Sequence, residues 1–254
     1  MRRFLAAHTA LVYLFLYLPI AILVVFSFNE ARQTAVWEGF TLDWYRRLAE
    51  DERLLRSVRN SLLVGGITTV VSTVLGTLAA LALARAFRGK RSTEVVLFLP
   101  VILPEVVLGA ALLTFFGAME MRLSLWTVVI AHVVFTVSYV AIVVRARLAG
   151  LDPALEEAAR DLGAGPFETF RRVTLPLILP GVIASALLVF TLSIDDYVVT
   201  SFVAGVGATT LPLHIYSMLK LGVTPEVNAV STLLLAGTMT LIVLAQRLIR
   251  REDP

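Results

Sequence analysis

Acidic side chains stand inside long apolar stretches at two places in the sequence. Asp195 and Asp196 lie deep in the apolar run that begins near Pro180, and Tyr197 follows them. Glu105 lies in a different apolar run. A carboxylate at the centre of a membrane helix costs on the order of 2.5–3.5 kcal/mol, so it is expected to face a pathway or a partner. These residues predict a pathway for a cation, in which carboxylates replace water around ammonium groups and the Tyr197 ring adds a cation–π contact.

Structural roles are the alternative for the same carboxylates. One of the two adjacent aspartates could cap a broken helix or pair with an arginine of a neighbouring subunit. Glu105 could hydrogen-bond to backbone groups that Pro100 or Pro104 leaves without a partner. Only one face of a helix sees a lumen, so Asp195 and Asp196 need not both do so.

Catalytic and metal-binding signatures are missing from the sequence. It contains no cysteine, which excludes disulfides and thiolate metal sites. The pair Gly89-Lys90 lacks the upstream glycine and the following Ser or Thr of a P-loop, and neither a nucleophile elbow nor an HExxH motif occurs. His8, His132 and His214 are scattered and are expected to be structural. The sequence predicts a protein that is not an enzyme and holds no cofactor or metal of its own.

The composition is that of an integral membrane protein. Of 254 residues, 58% are hydrophobic and 16% are charged, and the mean hydropathy is +0.84. A membrane-spanning helix needs about 20 mostly apolar residues. Six stretches meet this requirement: 9–28, 61–86, 94–117, 125–148, 180–202 and 230–249. We expect an all-α, polytopic fold with six transmembrane helices in one permease domain over residues 1–254. More Lys and Arg residues fall on the side holding both termini, which predicts a cytoplasmic N- and C-terminus.

A polar segment, 152–176, separates the fourth and fifth predicted spans. Asp152 before Pro153 is typical of a helix start, and Gly163 is suited to ending that helix. Pro166 can begin a second helix, which Pro176 and Pro180 are expected to stop before the fifth span. The first helix would carry one apolar stripe, formed by Leu155, Ala158, Ala159 and Leu162. Such a stripe fits a partner's groove or the protein's own helix ends.

The spacing of this segment resembles the EAA motif of ABC-importer permeases. The matching positions are Glu157-Ala158-Ala159, Gly163, Val173 and Leu175-Pro176, with Val173 where the family usually has isoleucine. In that family the loop is the coupling helix that docks on the cytoplasmic ATPase. The resemblance implies that Glu157, Ala158, Ala159 and Gly163 contact a nucleotide-binding subunit, and Leu155 and Leu162 of the same stripe are expected to join them.

Other blocks are similar to the second permease subunit of spermidine/putrescine ABC importers. They are GFTLDWYRRL with RNSL, LPVILPEVVLGAALLTFF, SIDDYVVTSFVAG and LPLHIYSMLKLGVTPEVNA. The resemblance implies a type I importer fold in the bacterial cytoplasmic (inner) membrane and a small cationic cargo. It also implies a second, homologous permease subunit, two ABC ATPases that bind ATP and Mg, and an extracytoplasmic solute-binding protein. No nucleic-acid partner is expected.

Three other functions fit parts of the sequence. The chain could be an ABC permease for an amino-acid derivative, an opine, a phosphonate or ferric ion. It could be an ion-coupled secondary transporter with Asp195 or Asp196 as the coupling site, or a membrane scaffold that transports nothing. The EAA match disfavours the last two, and we find no convincing inverted repeat of the kind found in secondary transporters.

Overall fold

The computed structural model describes residues 2–31, 36–220, 222 and 224–250, without the side chains of Arg3 and residues 241–250. In these ranges the chain is helical, and an isolated bridge between Asn29 and Phe40 is its only β-type pairing. The chain divides into two compact units, residues 1–56 with 213–243 and residues 57–212 with 244–254. The prediction of a single permease domain stays a prediction.

Twelve α-helices make up the described part of the chain. They are α1 (Arg2–Phe26), α2 (Asp43–Glu50), α3 (Glu52–Ala84), α4 (Lys90–Ile102), α5 (Glu105–Ala118), α6 (Leu125–Ala149), α7 (Ala154–Asp161), α8 (Pro166–Thr169), α9 (Leu175–Asp195), α10 (Val198–Val203), α11 (Leu211–Lys220) and α12 (Pro225–Arg250). A π-helical turn, Phe170–Thr174, joins α8 to α9.

Four long helices are apolar enough to cross a membrane: Phe4–Phe26, Glu52–Ala84, Leu125–Ala149 and Pro166–Asp195. The bent pair α4 and α5 adds a fifth candidate. The sixth predicted span, 230–249, falls within α12, which is 26 residues long. At 1.5 Å per residue α12 is about 39 Å long, which is compatible with a membrane crossing. The all-α, multi-pass fold is confirmed.

The third predicted span, 94–117, is not one straight helix. It is divided between α4 and α5, which meet at an angle of 111°. Leu103 and Pro104 between them are extended, with ψ of 138° and 136°. A residue before proline is pushed out of the helical region, because the proline ring clashes with its backbone. The predicted third span is therefore interrupted by a full break at Leu103-Pro104.

The fifth predicted span, 180–202, also differs from the structure. The helix starts at Pro166 and continues to Asp195, and a separate short helix, α10, follows the break. The expectation that Pro176 and Pro180 stop the second hairpin helix was wrong. Just before Pro176, the Leu175 amide donates to Phe170 five residues back, so the widened turn relieves the clash of the proline ring with the preceding turn.

The first unit contains α1, α2 and their connection. The apolar side chains of α1 are largely exposed, as expected of a helix that faces lipid. Trp44 and Leu48 of α2 are buried, and Trp44 Nε1 donates to the Asn29 carbonyl at 2.8 Å. Trp44 is therefore held by the connection between α1 and α2.

In the second unit, α3 and α6 pack closely, in the same direction. Every fourth residue on each helix is buried: Val64, Thr68, Ser72, Gly76 and Ala80 on α3, and Val128, His132, Thr136, Val140 and Val144 on α6. The Ser72 and Thr136 hydroxyls are 2.7 Å apart. Small residues let membrane helices approach and hydrogen-bond in this way. The α6 helix also packs against α9, and together these helices form the frame that holds the candidate site.

The helices α3 and α6 approach each other closely at Gly76. A Cβ atom there would lie 2.4 Å from Val140 Cβ and 2.8 Å from the Val137 carbonyl oxygen. We therefore expect Gly76→Ala to cost about 1–3 kcal/mol through overpacking and to lower the thermal unfolding midpoint of the purified protein. Gly66→Ala on the same helix is the matched control, because a Cβ there meets nothing within 4 Å. Equal midpoints for the two variants would contradict the proposed packing.

Candidate functional site

A cavity of about 470 Å³ lies in the second unit between the two helix breaks. One break, Leu103-Pro104, separates α4 from α5, and the other, 195–197, separates α9 from α10. Side chains of α6 close the remaining wall, among them Phe135 and Tyr139. Broken membrane helices are tolerated where they line a cavity, because the freed backbone groups find partners there.

All four residues predicted to line a substrate pathway border this cavity. They are Glu105, Asp195, Asp196 and Tyr197. Three carboxylates therefore face one space, and none of the described residues that line it is Lys, Arg or His. The C-terminal ends of α4 and α9 and the N-terminal ends of α5 and α10 all border the cavity, so the helix dipoles oppose one another and the three carboxylates set the sign of the charge. The arrangement favours a cation over a neutral or anionic ligand.

Glu105 and Asp195 are exposed, one at each break. Glu105 is the first residue of α5, where a carboxylate is stabilised by the helix dipole. Asp195 is the last residue of α9. Among the described residues, neither carboxylate has a hydrogen bond or ion pair. Both are placed to accept hydrogen bonds from a ligand, and the assignment of these residues to cargo stays a prediction.

Asp196 has a different environment from its neighbour. Its side chain is 5% exposed. Its Oδ2 accepts hydrogen bonds from the Thr200 amide at 2.8 Å and the Thr200 hydroxyl at 2.7 Å, and it lies 3.2 Å from His132 Nε2. Its Oδ1 accepts a longer bond, 3.4 Å, from the Val199 amide. Asp196 therefore caps α10 and borders the cavity with a carboxylate that is already engaged.

His132 is part of the site that the sequence analysis did not identify. It is fully buried on α6, and its two ring nitrogens contact Ser193 and Thr200, on either side of the break between α9 and α10. The signal was present, because a histidine within an apolar span needs a polar partner. What the sequence could not supply was that partner, which lies more than sixty residues away along the chain. The expectation of a structural histidine agrees with these contacts.

The polar segment forms the expected hairpin at the other end of α9. Asp152 accepts a hydrogen bond from the Ala154 amide at 2.9 Å, and Gly163 ends α7 with a φ of +85°. Glu156 holds the hairpin together, since its Oε1 accepts from the Thr174 hydroxyl at 2.6 Å and its Oε2 accepts from Arg160 at 3.1 Å. The predicted start and stop of α7 are confirmed, whereas the predicted stop of the second hairpin helix is not.

The apolar stripe of α7 faces away from the protein's own helix ends. Leu155 is 46% and Leu162 is 90% exposed, while Glu157 and Ala158 are exposed as well. A groove of about 270 Å³ runs beside the stripe. Its lining includes Ala159, Gly163 and Val173, which are three positions of the EAA spacing, and Leu162 of the stripe. Exposed leucines at a polar loop are typical of a surface that a partner covers.

Known proteins resemble this chain over most of its length. The family described as "Binding-protein-dependent transport system inner membrane component" matches residues 72–254. The spermidine/putrescine transport system permease protein PotC of Haemophilus influenzae is 41% identical, covering 97% of this chain and 96% of its own. The putrescine transport system permease protein PotI of Escherichia coli K12 is 40% identical, with coverages of 94% and 88%.

Solved structures show the same fold at low sequence identity. A chain of a bacterial alginate ABC transporter, in complex with an alginate pentasaccharide-bound periplasmic protein, superposes with a TM-score of 0.79 at 16% identity, covering 98% of this chain and 95% of its own. A chain of the MetNI methionine ABC transporter gives 0.65 at 19% identity, with coverages of 84% and 99%. These likenesses confirm the fold, and the family match and the permease relatives confirm a transport subunit rather than an enzyme. The chain belongs to the family of inner membrane components of binding-protein-dependent transport systems.

Proposed function

We propose that this chain is a permease subunit of an ATP-driven ABC importer for polyamines such as putrescine and spermidine. The names of its relatives support this cargo. The observation that carries the proposal in the structure is the cavity with three carboxylates and no basic lining residue among those described. Polyamines carry several ammonium groups separated by methylene chains, so they match acidic groups set among aromatic and apolar side chains.

Within the cavity, Asp195 and Glu105 are the groups available to a cargo. Each can accept hydrogen bonds from an ammonium group, and they lie at opposite breaks, on α9 and α5. Phe135, Tyr139 and Tyr197 provide rings for the ammonium groups and the methylene chain. Asp196 adds negative charge without giving up its bonds to α10 and His132.

One continuous helix links this cavity to the hairpin. Pro166 begins it next to the exposed stripe of α7, and Asp195 ends it at the cavity, so the helix has 30 residues. At 1.5 Å per residue the helix is about 45 Å long. A movement imposed on the hairpin by ATP binding and hydrolysis therefore reaches the cavity through a single element. This is the route by which we expect outward opening, cargo entry and inward release to alternate.

The proposal includes partners that the exposed surfaces fit. Two ATPase subunits bind ATP and Mg, and one of them docks on Leu155, Glu157, Ala158, Ala159, Leu162 and Gly163. A second homologous permease subunit and an extracytoplasmic solute-binding protein complete the complex. In this arrangement both termini lie in the cytoplasm, the chain crosses the bacterial inner membrane several times, and it holds no cofactor of its own.

Reconstituted transport tests the proposed cargo. The complete complex is placed in proteoliposomes with its binding protein, and ATP hydrolysis is measured with putrescine, spermidine, an opine, a phosphonate and ferric ion in separate samples. We expect stimulation by putrescine or spermidine, together with uptake of the radiolabelled amine. Stimulation by one of the other solutes and by neither polyamine would assign a different cargo.

A further inference from the structure

We propose that His132 is a positioning residue for cargo binding. It holds the break between α9 and α10 in the geometry that directs Asp195, and not Asp196, to the cargo. This inference rests on the proposed function of the cavity and assigns a role to a residue that does not itself line it. Three observations carry it: the hydrogen-bond pattern of His132, the position of its partners on both sides of the break, and the contrast between the two aspartates.

The hydrogen bonds around His132 leave one arrangement at Nε2. The Thr200 hydroxyl donates its hydrogen to Asp196 Oδ2, so the same oxygen accepts from His132 Nε2, which lies 2.8 Å away. Nε2 therefore carries a hydrogen, and the same nitrogen lies 3.2 Å from Asp196 Oδ2. His132 Nδ1 is 2.7 Å from the Ser193 hydroxyl. Both ring nitrogens are thus engaged, and the orientation of the ring is fixed.

The partners of His132 lie on both sides of the helix break. Ser193 is in the last turn of α9 and Thr200 is in the first turn of α10. Between them Asp196 is extended, with a ψ of 120°. His132 belongs to neither helix, so it ties the two halves to α6 as a third element. His132 and Thr200 are fully buried, and hydrogen bonds out of water constrain geometry more strongly than exposed ones.

The consequence falls on the neighbouring aspartate. With Asp196 turned toward His132 and Thr200, Asp195 is left at the end of α9, facing the cavity. Phe135, one turn further along α6, has its ring centroid 5.5 Å from that of His132 and lines the same cavity. Loss of the His132 hydrogen bonds would free the segment between α9 and α10, and both Asp195 and Phe135 would then move. Misplacement of a binding group by about 1 Å is enough to lower binding and rate strongly.

The test compares variants of His132 in the reconstituted full complex, with putrescine as the probe. His132→Leu removes both polar contacts, and we expect it to raise the half-saturating putrescine concentration about tenfold or more. The maximal ATPase rate per assembled complex should stay within about twofold, because the chemistry is done by the ATPase subunits. His132→Gln keeps a donor near the position of Nε2, so it should restore most of the putrescine affinity that His132→Leu loses. A purely structural role would lower the amount of assembled complex without raising the half-saturating putrescine concentration of the complex that remains.

Thr136→Val is the matched control, because Thr136 is equally buried on α6 and its hydroxyl contacts the Ser72 hydroxyl and donates to the backbone carbonyl of His132, so the variant leaves the contacts of the His132 ring with the break in place. Its half-saturation should equal the wild-type value. If His132→Leu does not assemble, Thr200→Val decides, since it removes the hydroxyl between His132 and Asp196 and keeps the volume. A wild-type half-saturation in His132→Leu, or in Thr200→Val where that variant decides, would overturn the positioning role. Absence of stimulation by both putrescine and spermidine in the wild type would instead overturn the proposed cargo; if only spermidine stimulates, the same variants are compared with spermidine as the probe.

Discussion

Asp195→Asn is expected to raise the half-saturating putrescine concentration about tenfold, with a nearly unchanged maximal rate. The substitution keeps the shape of the side chain and removes the charge that faces the cavity. A hydrogen bond to a charged group contributes about 1.5–3 kcal/mol, and the low end applies because Asp195 is exposed to water. A loss of about 1.4 kcal/mol corresponds to a tenfold change in affinity. The half-saturating putrescine concentration is measured from the uptake of radiolabelled putrescine by proteoliposomes.

The control for this prediction is a carboxylate away from the cavity. Glu120 is exposed beyond the end of α5 and does not line the site. Glu120→Gln should therefore keep the wild-type half-saturation, whereas Asp195→Glu should fall between wild type and Asp195→Asn. If Asp195→Asn transports putrescine with wild-type half-saturation, Asp195 is not a cargo ligand and the proposed pathway is wrong.

Leu162→Asp is expected to separate the chain from its ATPase. Leu162 is 90% exposed at the end of α7, and burying a leucine under a partner contributes about 1.5–3 kcal/mol. A carboxylate there would have to be buried without a designated partner, which adds to the cost. We expect the affinity for the purified ATPase subunit to fall about tenfold or more, and cargo-stimulated ATP hydrolysis to fall with it. The affinity is measured from the binding of the purified ATPase subunit, in solution, to the permease subunits immobilised on a surface.

Val206→Asp is the matched control for Leu162→Asp. Val206 is an exposed apolar residue that follows α10, beyond the end of α9 that is remote from the hairpin. The 21 residues of α9 alone span about 30 Å. Val206→Asp should bind the ATPase as the wild type does. Equal loss in both variants would indicate a general effect of added charge, and no loss in Leu162→Asp would contradict docking on the stripe.

The hairpin could be predicted from the sequence because its signals are local. A capping aspartate, a proline at the helix start and a glycine that adopts a positive φ each act within a few residues. The approximate positions of most membrane spans were also predictable, since length and hydropathy define them. The likeness to polyamine permeases depended on several separated blocks and agrees with the relatives found.

The two helix breaks and the roles of the aspartates were harder to predict. Pro104 breaks its helix, whereas Pro176 and Pro180 lie within one, because a π-helical turn accommodates the chain before Pro176. Asp195 and Asp196 are adjacent and identical in type, so the sequence cannot distinguish them. Their difference arises from His132 and Thr200, brought together by the packing of α6 against α9 and α10. Long-range contacts decide such details.

Occupancy of the cavity by cargo is the most direct test of the account. The chain has no cysteine, so Thr191→Cys introduces a single thiol at an exposed position that lines the cavity, one turn before Asp195. The rate at which a thiol reagent modifies it is measured in the reconstituted complex. We predict that saturating putrescine slows the modification several-fold, and that Asp195→Asn in the same background removes this protection. Equal rates with and without putrescine, in a complex that transports putrescine, would contradict a pathway through this cavity.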